Sequence, residues 1–281
     1  MITVNTIAAE PSSNGRVPGS VWSYISPSRL SCWMSCPLKF KLRYIDGIRT
    51  PTTPALFLGK VVHAGLETYY RHRQLRVTLE SEEVLSRMLD SWEQAADEEG
   101  MQFDSVEQEA KLKEQASQLV AAYLRHISED EARPKAVEIT METPLIDPAT
   151  GEDLGIPLLG VVDLIAGEEG GATIIDFKTS SRSGPPFEVT HEIQLSSYAY
   201  LYRQLTGGKE AGLEIRSLVK TKTPKTERQH YPARGEHHFR RLFSVIREYL
   251  DAIDSGNFNY RPGWGCAMCE HREKHCRAWS P

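Results

Sequence analysis

The chain has 281 residues, 40% of them hydrophobic and 25% charged, with 20 Gly and 16 Pro. That is ordinary globular composition; it excludes a collagen-like or wholly disordered chain and leaves room for two domains, or one domain with attachments. Net charge is −5, no window approaches the roughly 18–20 apolar residues of a membrane span, and residues 1–20 lack the basic-then-apolar order of a secretory signal. A soluble, cytoplasmic protein without a membrane partner is expected.

Residues 1–20, rich in Pro, Ser, Gly and Asn, read as a flexible arm ahead of a single domain over 21–281. Ser26-Pro27-Ser28 has the form of a helix start, with a capping serine and proline in the first turn. Leu58 to Arg73 reads as a second helix. Two longer helices follow near Leu79–Glu98 and Ser105–Ser128 and form a helical insertion over 79–131. Their apolar stripes (Val84, Leu85, Met88, Leu89 and Trp92; then Leu112, Ala116, Leu119, Val120, Tyr123 and Ile127) predict core packing rather than a binding face. After Pro134 come β-rich runs at Ala136–Ile146, Pro157–Ile165 and Ala172–Lys178. A helix at Phe187–Leu205, strands at Gly212–Thr221 and Arg228–Tyr231, a helix at Glu236–Asp254 and a cysteine-rich tail over 260–281 complete the chain. The order predicts an α/β fold: one mixed central sheet with helices on both faces.

Charge is uneven along this order. Glu80–Glu114 carries twelve Asp/Glu against three Lys/Arg, and Arg216–Arg247 carries nine Lys/Arg against two Asp/Glu. The basic stretch is able to serve a polyanion locally. Two solvated helix surfaces of opposite sign would give the same pattern.

Between the second and third β-rich runs lies Ala166-Gly167-Glu168-Glu169-Gly170-Gly171, a glycine-rich turn. If the turn is symmetric about Glu169–Gly170, Asp163 stands opposite Asp176. Lys178, two residues on, shares the face of Asp176. Two carboxylates paired among Val, Leu and Ile repel each other and are costly to bury. A divalent cation resolves the conflict, and so does a salt bridge to Lys178; hard oxygen ligands would suit Mg²⁺ or Mn²⁺. Two other segments supply candidate partners: Gly59…His63 on a helix, and Gln194 with Tyr198 at i, i+4 on another.

Taken in order, Ser28-Arg29-Leu30, Cys36-Pro37-Leu38-Lys39-Phe40, Gly59…His63, Gly160-Val161-Val162-Asp163, Asp176-Phe177-Lys178, Gln194…Tyr198 and the C-terminal cysteines resemble the PD-(D/E)xK nuclease superfamily, in its RecB-type branch with a cysteine-bound cluster. The resemblance implies a restriction-endonuclease-like core. It implies His63, Asp163, Asp176 and the Phe177 carbonyl as metal ligands, Lys178 as the catalytic lysine, and Gln194 and Tyr198 as residues that shape the site and contact DNA. This sequence departs from the family pattern at Leu164, where many relatives carry a basic residue.

Cys266 and Cys269 form C-x2-C, six residues precede Cys276, and with Cys36 they make four thiols. Spacing alone permits zinc or an iron–sulfur cluster. The resemblance implies a 4Fe-4S cluster with Cys36 as the remote ligand. Cys32, one turn before Cys36, is a spare or rival ligand, and His271 or His275 would matter in a zinc site.

These features predict a metal-dependent DNA nuclease, an exonuclease preferring single strands or free ends, in recombination, repair or phage and mobile-element processing. The residues from Arg216 to Arg247, with Lys39, Lys41 and Arg43, would track the phosphate backbone. Tyr231, Trp264 and Phe239 are candidate base-stacking residues, Phe239 being better suited to the core. A helicase is one expected partner. Two alternatives are a CRISPR adaptation nuclease trimming prespacers beside an integrase, and a non-catalytic DNA-binding or assembly subunit with a zinc-stabilised fold.

Overall fold

The computed structural model describes residues 21–128, 131–167, 171–184 and 188–278. The arm at 1–20, the turn tip at 168–170, the start of the helix expected from Phe187 and the last three residues lie outside the described residues. Ser26 caps α1 (Pro27–Ser35) by accepting from the Arg29 N–H at 3.3 Å, with Pro27 in the first turn. A short α2 (Pro37–Phe40) follows Cys36, which has extended backbone and so breaks the two helices apart. Then come α3 (Pro54–Gln74), α4 (Ser81–Asp90), α5 (Trp92–Glu98) and α6 (Val106–Arg125). The expected helix over 79–98 is thus two helices broken at Ser91. The apolar stripe of Val84, Met88 and Trp92 runs on across the break, so periodicity alone does not reveal it.

The strands are β1 (Pro134–Ile146), β2 (Asp153–Ala166), β3 (Thr173–Ser180), β4 (Gly212–Val219) and β5 (Lys225–Pro232), in that spatial order. All neighbours are antiparallel except β3 and β4, which run parallel and are joined through α7 (Glu188–Thr206). The last helix is α8 (Glu236–Asp254), with the bounds the sequence predicts. One face of the sheet carries α3 to α6, whose core includes Phe57, Leu66, Tyr70, Trp92, Val120 and Phe177. The other carries α1, α7 and α8, with Leu30, Leu195, Leu201, Leu242 and Phe243 against Ile165, Ile174 and Ile215. Burying each such large side chain contributes about 1.5–3 kcal/mol. Of the described helices, none is long and apolar enough to cross a membrane.

One irregularity positions the site. β2 and β3 pair at Ala166–Thr173, Ile165–Ile174 and Leu164–Ile175, the register expected from the symmetric turn, and then diverge. Beyond that point β3 holds only β4, while the freed edge of β2 is taken by Ile25, whose N–H bonds Pro157 O and whose carbonyl accepts from Leu159 N, both at 2.8 Å. A wedge opens between two central strands where Asp163 and Asp176 stand. On the β1 side, Glu138 has φ +46° between Val137, paired with Leu164, and Ile139, paired with Val162. Val137 and Leu164 face the α3–α6 layer, whereas Ile139 and Val162 face the α7–α8 layer. Side-chain alternation therefore switches faces at Glu138 and Asp163.

Candidate active site

The wedge gathers side chains from four elements. Asp163 on β2 accepts from the Phe177 N–H through Oδ2 at 2.7 Å, replacing the ladder bond that the divergence removed. Its Oδ1 lies 3.4 Å from His63 Nδ1 on α3. A strand residue's N–H and C=O point to the same neighbour, so the Phe177 carbonyl is directed into the same wedge. Asp176 on β3, 2% exposed, accepts from Gln194 Nε2 through Oδ1 at 2.8 Å. The same Gln194 amide donates to the Tyr198 hydroxyl at 2.9 Å. Lys178 Nζ lies 2.7 Å from Asp176 Oδ2, an ion pair that engages that oxygen in this arrangement.

Two glycines make this convergence possible. A Cβ on Gly160 would stand 2.8 Å from Leu201 Cδ1 and 3.3 Å from Tyr198 Cε1, so its absence lets α7 approach β2. A Cβ on Gly59 would stand 3.2 Å from Thr179 Oγ1, and α3 meets the end of β3 there. Beside this contact is a cleft of about 410 Å³ lined by Gly59, Lys60, His63, Glu67, Glu138 and Thr179.

The electrostatics follow from burial. Asp176 is pushed up to about 6, first by desolvation and then by the charge of Asp163, with Lys178 opposing. Burial disfavours the His63 imidazolium, yet Asp163 and Asp176 outweigh it and hold His63 above its ordinary value. Burial, then the Asp176 charge, raises the Tyr198 phenol well above its usual range.

Two residues here escaped the sequence reading. Glu138 is raised to about 7 by burial and by the charges of Asp163 and Glu67. Its available signal was a lone acid interrupting the apolar run Ala136-Val137-Glu138-Ile139. His191, one turn before Gln194, is lowered by burial and by the Lys178 charge.

The oxygens of Asp163 and Asp176, the Phe177 carbonyl and an imidazole are a donor set suited to a hard divalent cation. As the side chains stand, no three His, Cys, Asp or Glu residues close on one point among the described residues. A bound ion would have to draw Asp176 away from Lys178.

Apart from this wedge, Cys36, Cys266, Cys269 and Cys276 line one cavity of about 350 Å³. None is in a disulfide. Burial and the three neighbouring thiols raise the Cys276 thiol. Cys32 lies outside that lining, half-buried against the core, with its thiol raised chiefly by burial. His271 also lines the cavity, 1% exposed, with neither ring nitrogen hydrogen-bonded. The four thiols line this cavity without closing on one point as the side chains stand; their donor type is the one zinc and iron–sulfur clusters take.

The basic stretch is corrected by the structure. Arg216 is 4% exposed and is held by Glu131, Glu214, Tyr70 and Tyr123 behind Phe177. Arg228 pairs with Glu131, Arg240 with Glu236, Arg241 with Glu192, and Arg247 with Asp147 and Glu152. Arg234 is fully buried. Lys39 and Lys41 pair with Glu270 and Asp46. Arg216 is therefore a structural tie; Arg241 and Arg247 pair across to other segments, and Arg240 pairs with Glu236 one turn back on α8 itself. Phe239 is buried in the core and Tyr231 is half-buried against it, whereas Trp264 is fully exposed. Arg29 of the Ser28-Arg29-Leu30 motif is likewise structural, its guanidinium donating to Tyr24 O at 2.6 Å and to Val21 O at 3.2 Å.

A sheet splayed around two aspartates and a lysine, flanked by helices on both faces, is the architecture of a restriction-endonuclease-like fold. The model of the PD-(D/E)XK nuclease superfamily matches residues 24–276, and the chain belongs to that superfamily. Its fold is similar to the crystal structure of a protein from Eubacterium rectale named a "putative exonuclease", with a TM-score of 0.57, 14% identity, and coverage of 92% of this chain and 90% of that one. A second solved structure, SSO0001, aligns with a TM-score of 0.43 and 16% identity over 89% of this chain and 84% of that one. A comparison with curated proteins found no match.

Proposed function

We propose that this protein is a metal-dependent DNA exonuclease that hydrolyses phosphodiester bonds on single strands or free ends. The observation that carries the reading is the convergence of Asp163, Asp176, Lys178 and His63 where β2 and β3 part. Superfamily membership supports nuclease chemistry, and members generally use Mg²⁺ or Mn²⁺. A cleft of about 410 Å³ lies beside His63, one of these four residues.

Asp163, Asp176, His63 and the Phe177 carbonyl are the residues that would hold the divalent ion. It would supply Lewis-acid stabilisation of the phosphoryl oxygens and a more acidic water. Lys178, released from Asp176, orients the attacking water and donates to a phosphoryl oxygen as charge develops. Gln194, braced by Tyr198, fixes the rotamer of Asp176 and shapes the wall beside the scissile phosphate. Cys36, Cys266, Cys269 and Cys276 would hold a 4Fe-4S cluster whose role is structural. A zinc-stabilised tail is the second reading, favoured by the buried, unbonded His271 on the same cavity.

The test is cleavage of end-labelled single- and double-stranded DNA with Mn²⁺, Mg²⁺ or EDTA. Wild type should shorten strands from their ends with either metal and be inert in EDTA. Asp163→Ala and Lys178→Ala should each abolish cleavage while the fold persists. Activity retained by both variants would refute the assignment.

A further inference from the structure

Removing every paired or buried cation from the basic stretch leaves a short list. Of the nine Lys/Arg between Arg216 and Arg247, the six arginines are buried or ion-paired, as described above. Lys220, Lys222 and Lys225 make no salt bridge among the described residues, and all three belong to the β4–β5 hairpin. The exposed Arg182, in the segment after β3, likewise has no acidic partner among the described residues. A sequence that spreads positive charge over thirty-two positions thus folds so that its available charge collects at one turn.

The position of that turn matters more than its charge. Because β3 and β4 are parallel and in register from Thr173–Gly212 to Ser180–Val219, both strands end together. The Lys220 N–H bonds Ser180 O at 2.7 Å, so the turn begins where β3 stops. Thr179, the residue before Ser180, lines the cleft beside His63. Lys178 is two residues back from Ser180, or about 7 Å at the rise of a strand. That is roughly one phosphodiester spacing along a single strand, where successive phosphates lie farther apart than the 3.4 Å rise of a duplex axis. Across from the hairpin, Ser183 Oγ and the Gly184 N–H (the latter at 3.1 Å) bond the Glu227 carboxylate, and Lys225 Nζ lies 3.4 Å from Ser183 Oγ. These bonds fasten the segment bearing Arg182 to the base of the hairpin and fix its backbone in place.

Resting on the nuclease reading above, we propose that the β4–β5 hairpin, through Lys220, Lys222 and Lys225 with Arg182 beside them, grips the phosphates of the substrate strand within one or two nucleotides of the bond that is cut. The ligand is a polyphosphodiester backbone read by charge alone, so the contact is independent of base sequence. The helix α8, despite its three arginines, takes no part.

The experiment measures binding of a fluorescent oligothymidylate to the full chain by anisotropy across a salt series, with Ca²⁺ in place of a catalytic metal. Each single-strand phosphate contact contributes about 0.7 to the slope of log K against log salt. Lys222→Ala/Lys225→Ala, two exposed positions, should lower the slope by about 1.4, and adding Lys220→Ala should bring the loss to about 2. Arg240→Ala/Arg241→Ala should leave it unchanged. An uncharged methylphosphonate placed one or two nucleotides from the cleaved bond should, at one of those positions, slow cleavage by wild type but have no added effect in the triple variant. An unchanged slope in the lysine variants, or an equal loss in the α8 variant, would overturn the proposal while leaving the nuclease reading intact. A wild-type protein that neither binds nor cuts DNA would overturn both, and lysine variants with the wild-type melting point rule out misfolding as the cause of any loss.

Discussion

Asp176 is the residue on which the site's energetics turn. Buried at 2% exposure, it accepts from Gln194 and faces Lys178, yet desolvation and the Asp163 charge still lift it to about 6. A raised carboxylate binds protons more tightly in the folded state than in the unfolded chain. It therefore subtracts stability as pH rises from its unfolded value near 3.8 through about 6, and the full cost persists above that. Asp176→Asn should stabilise the metal-free protein in EDTA at pH 7.5 by on the order of 2 kcal/mol, and that gain should shrink as pH falls below about 6 and be gone below about 4. Thermal melts of both proteins across pH 4–8 check this; a variant less stable than wild type at pH 7.5 would contradict it. Protons and metal compete for this carboxylate, so the Mn²⁺ or Mg²⁺ concentration needed for half-maximal cleavage should rise as pH falls through about 6. Asp163, Asp176 and Lys178 were legible together from sequence because the register assumed for the turn holds as far as Leu164–Ile175, one pair short of the two aspartates. Glu138 was not, because a single acid in a strand reads as an ordinary solvent-facing position. Only the divergence of β2 from β3 and the face switch at Asp163 bring it to the cleft.

At the scale of elements, local signals were reliable and long-range pairing was not. The Ser26 cap and the bounds of α8 follow from capping chemistry and 3.6-residue periodicity, both of which are local. The break at Ser91 was invisible because its two helices continue one buried stripe. Charge was misread for the opposite reason. Glu131, Asp147, Glu152, Glu192 and Glu214, which neutralise the arginines of β4, β5 and α8, lie outside or at the far side of the segment whose balance was counted. The cluster around Arg216 shows what that neutralisation does. It ties Tyr70 of α3 and Tyr123 of α6 to β4, while Tyr70 stacks on Phe177 at 5.7 Å and Tyr123 meets it edge-on at 5.6 Å. The helical layer thereby braces the back of the strand that carries Asp176 and Lys178.

Across the whole molecule, the first and last described segments meet. Leu38 N bonds Asn259 O at 3.3 Å, Arg261 N lies 3.4 Å from Cys36 Sγ, and Lys39 pairs with Glu270 at 3.0 Å. These exposed polar contacts are individually worth little. A metal group bound by Cys36 and the three tail cysteines would close a loop spanning most of the chain, and its binding free energy would become folding free energy. Cys269→Ala should therefore melt well below wild type, lose the visible absorbance of an iron–sulfur cluster and bind DNA weakly. A soluble, colourless variant with wild-type cleavage and melting temperature would contradict that role. Wild type that is colourless and contains one zinc would establish the second reading.

The central claim is that the parting of β2 and β3 builds a divalent metal site. Its most direct test is Mn²⁺ binding followed by electron paramagnetic resonance on wild type, Asp163→Ala and Lys178→Ala. The account predicts a bound ion in wild type, its loss in Asp163→Ala, and its retention in Lys178→Ala, which binds the metal yet cannot cut DNA. Undiminished Mn²⁺ binding by Asp163→Ala would contradict it.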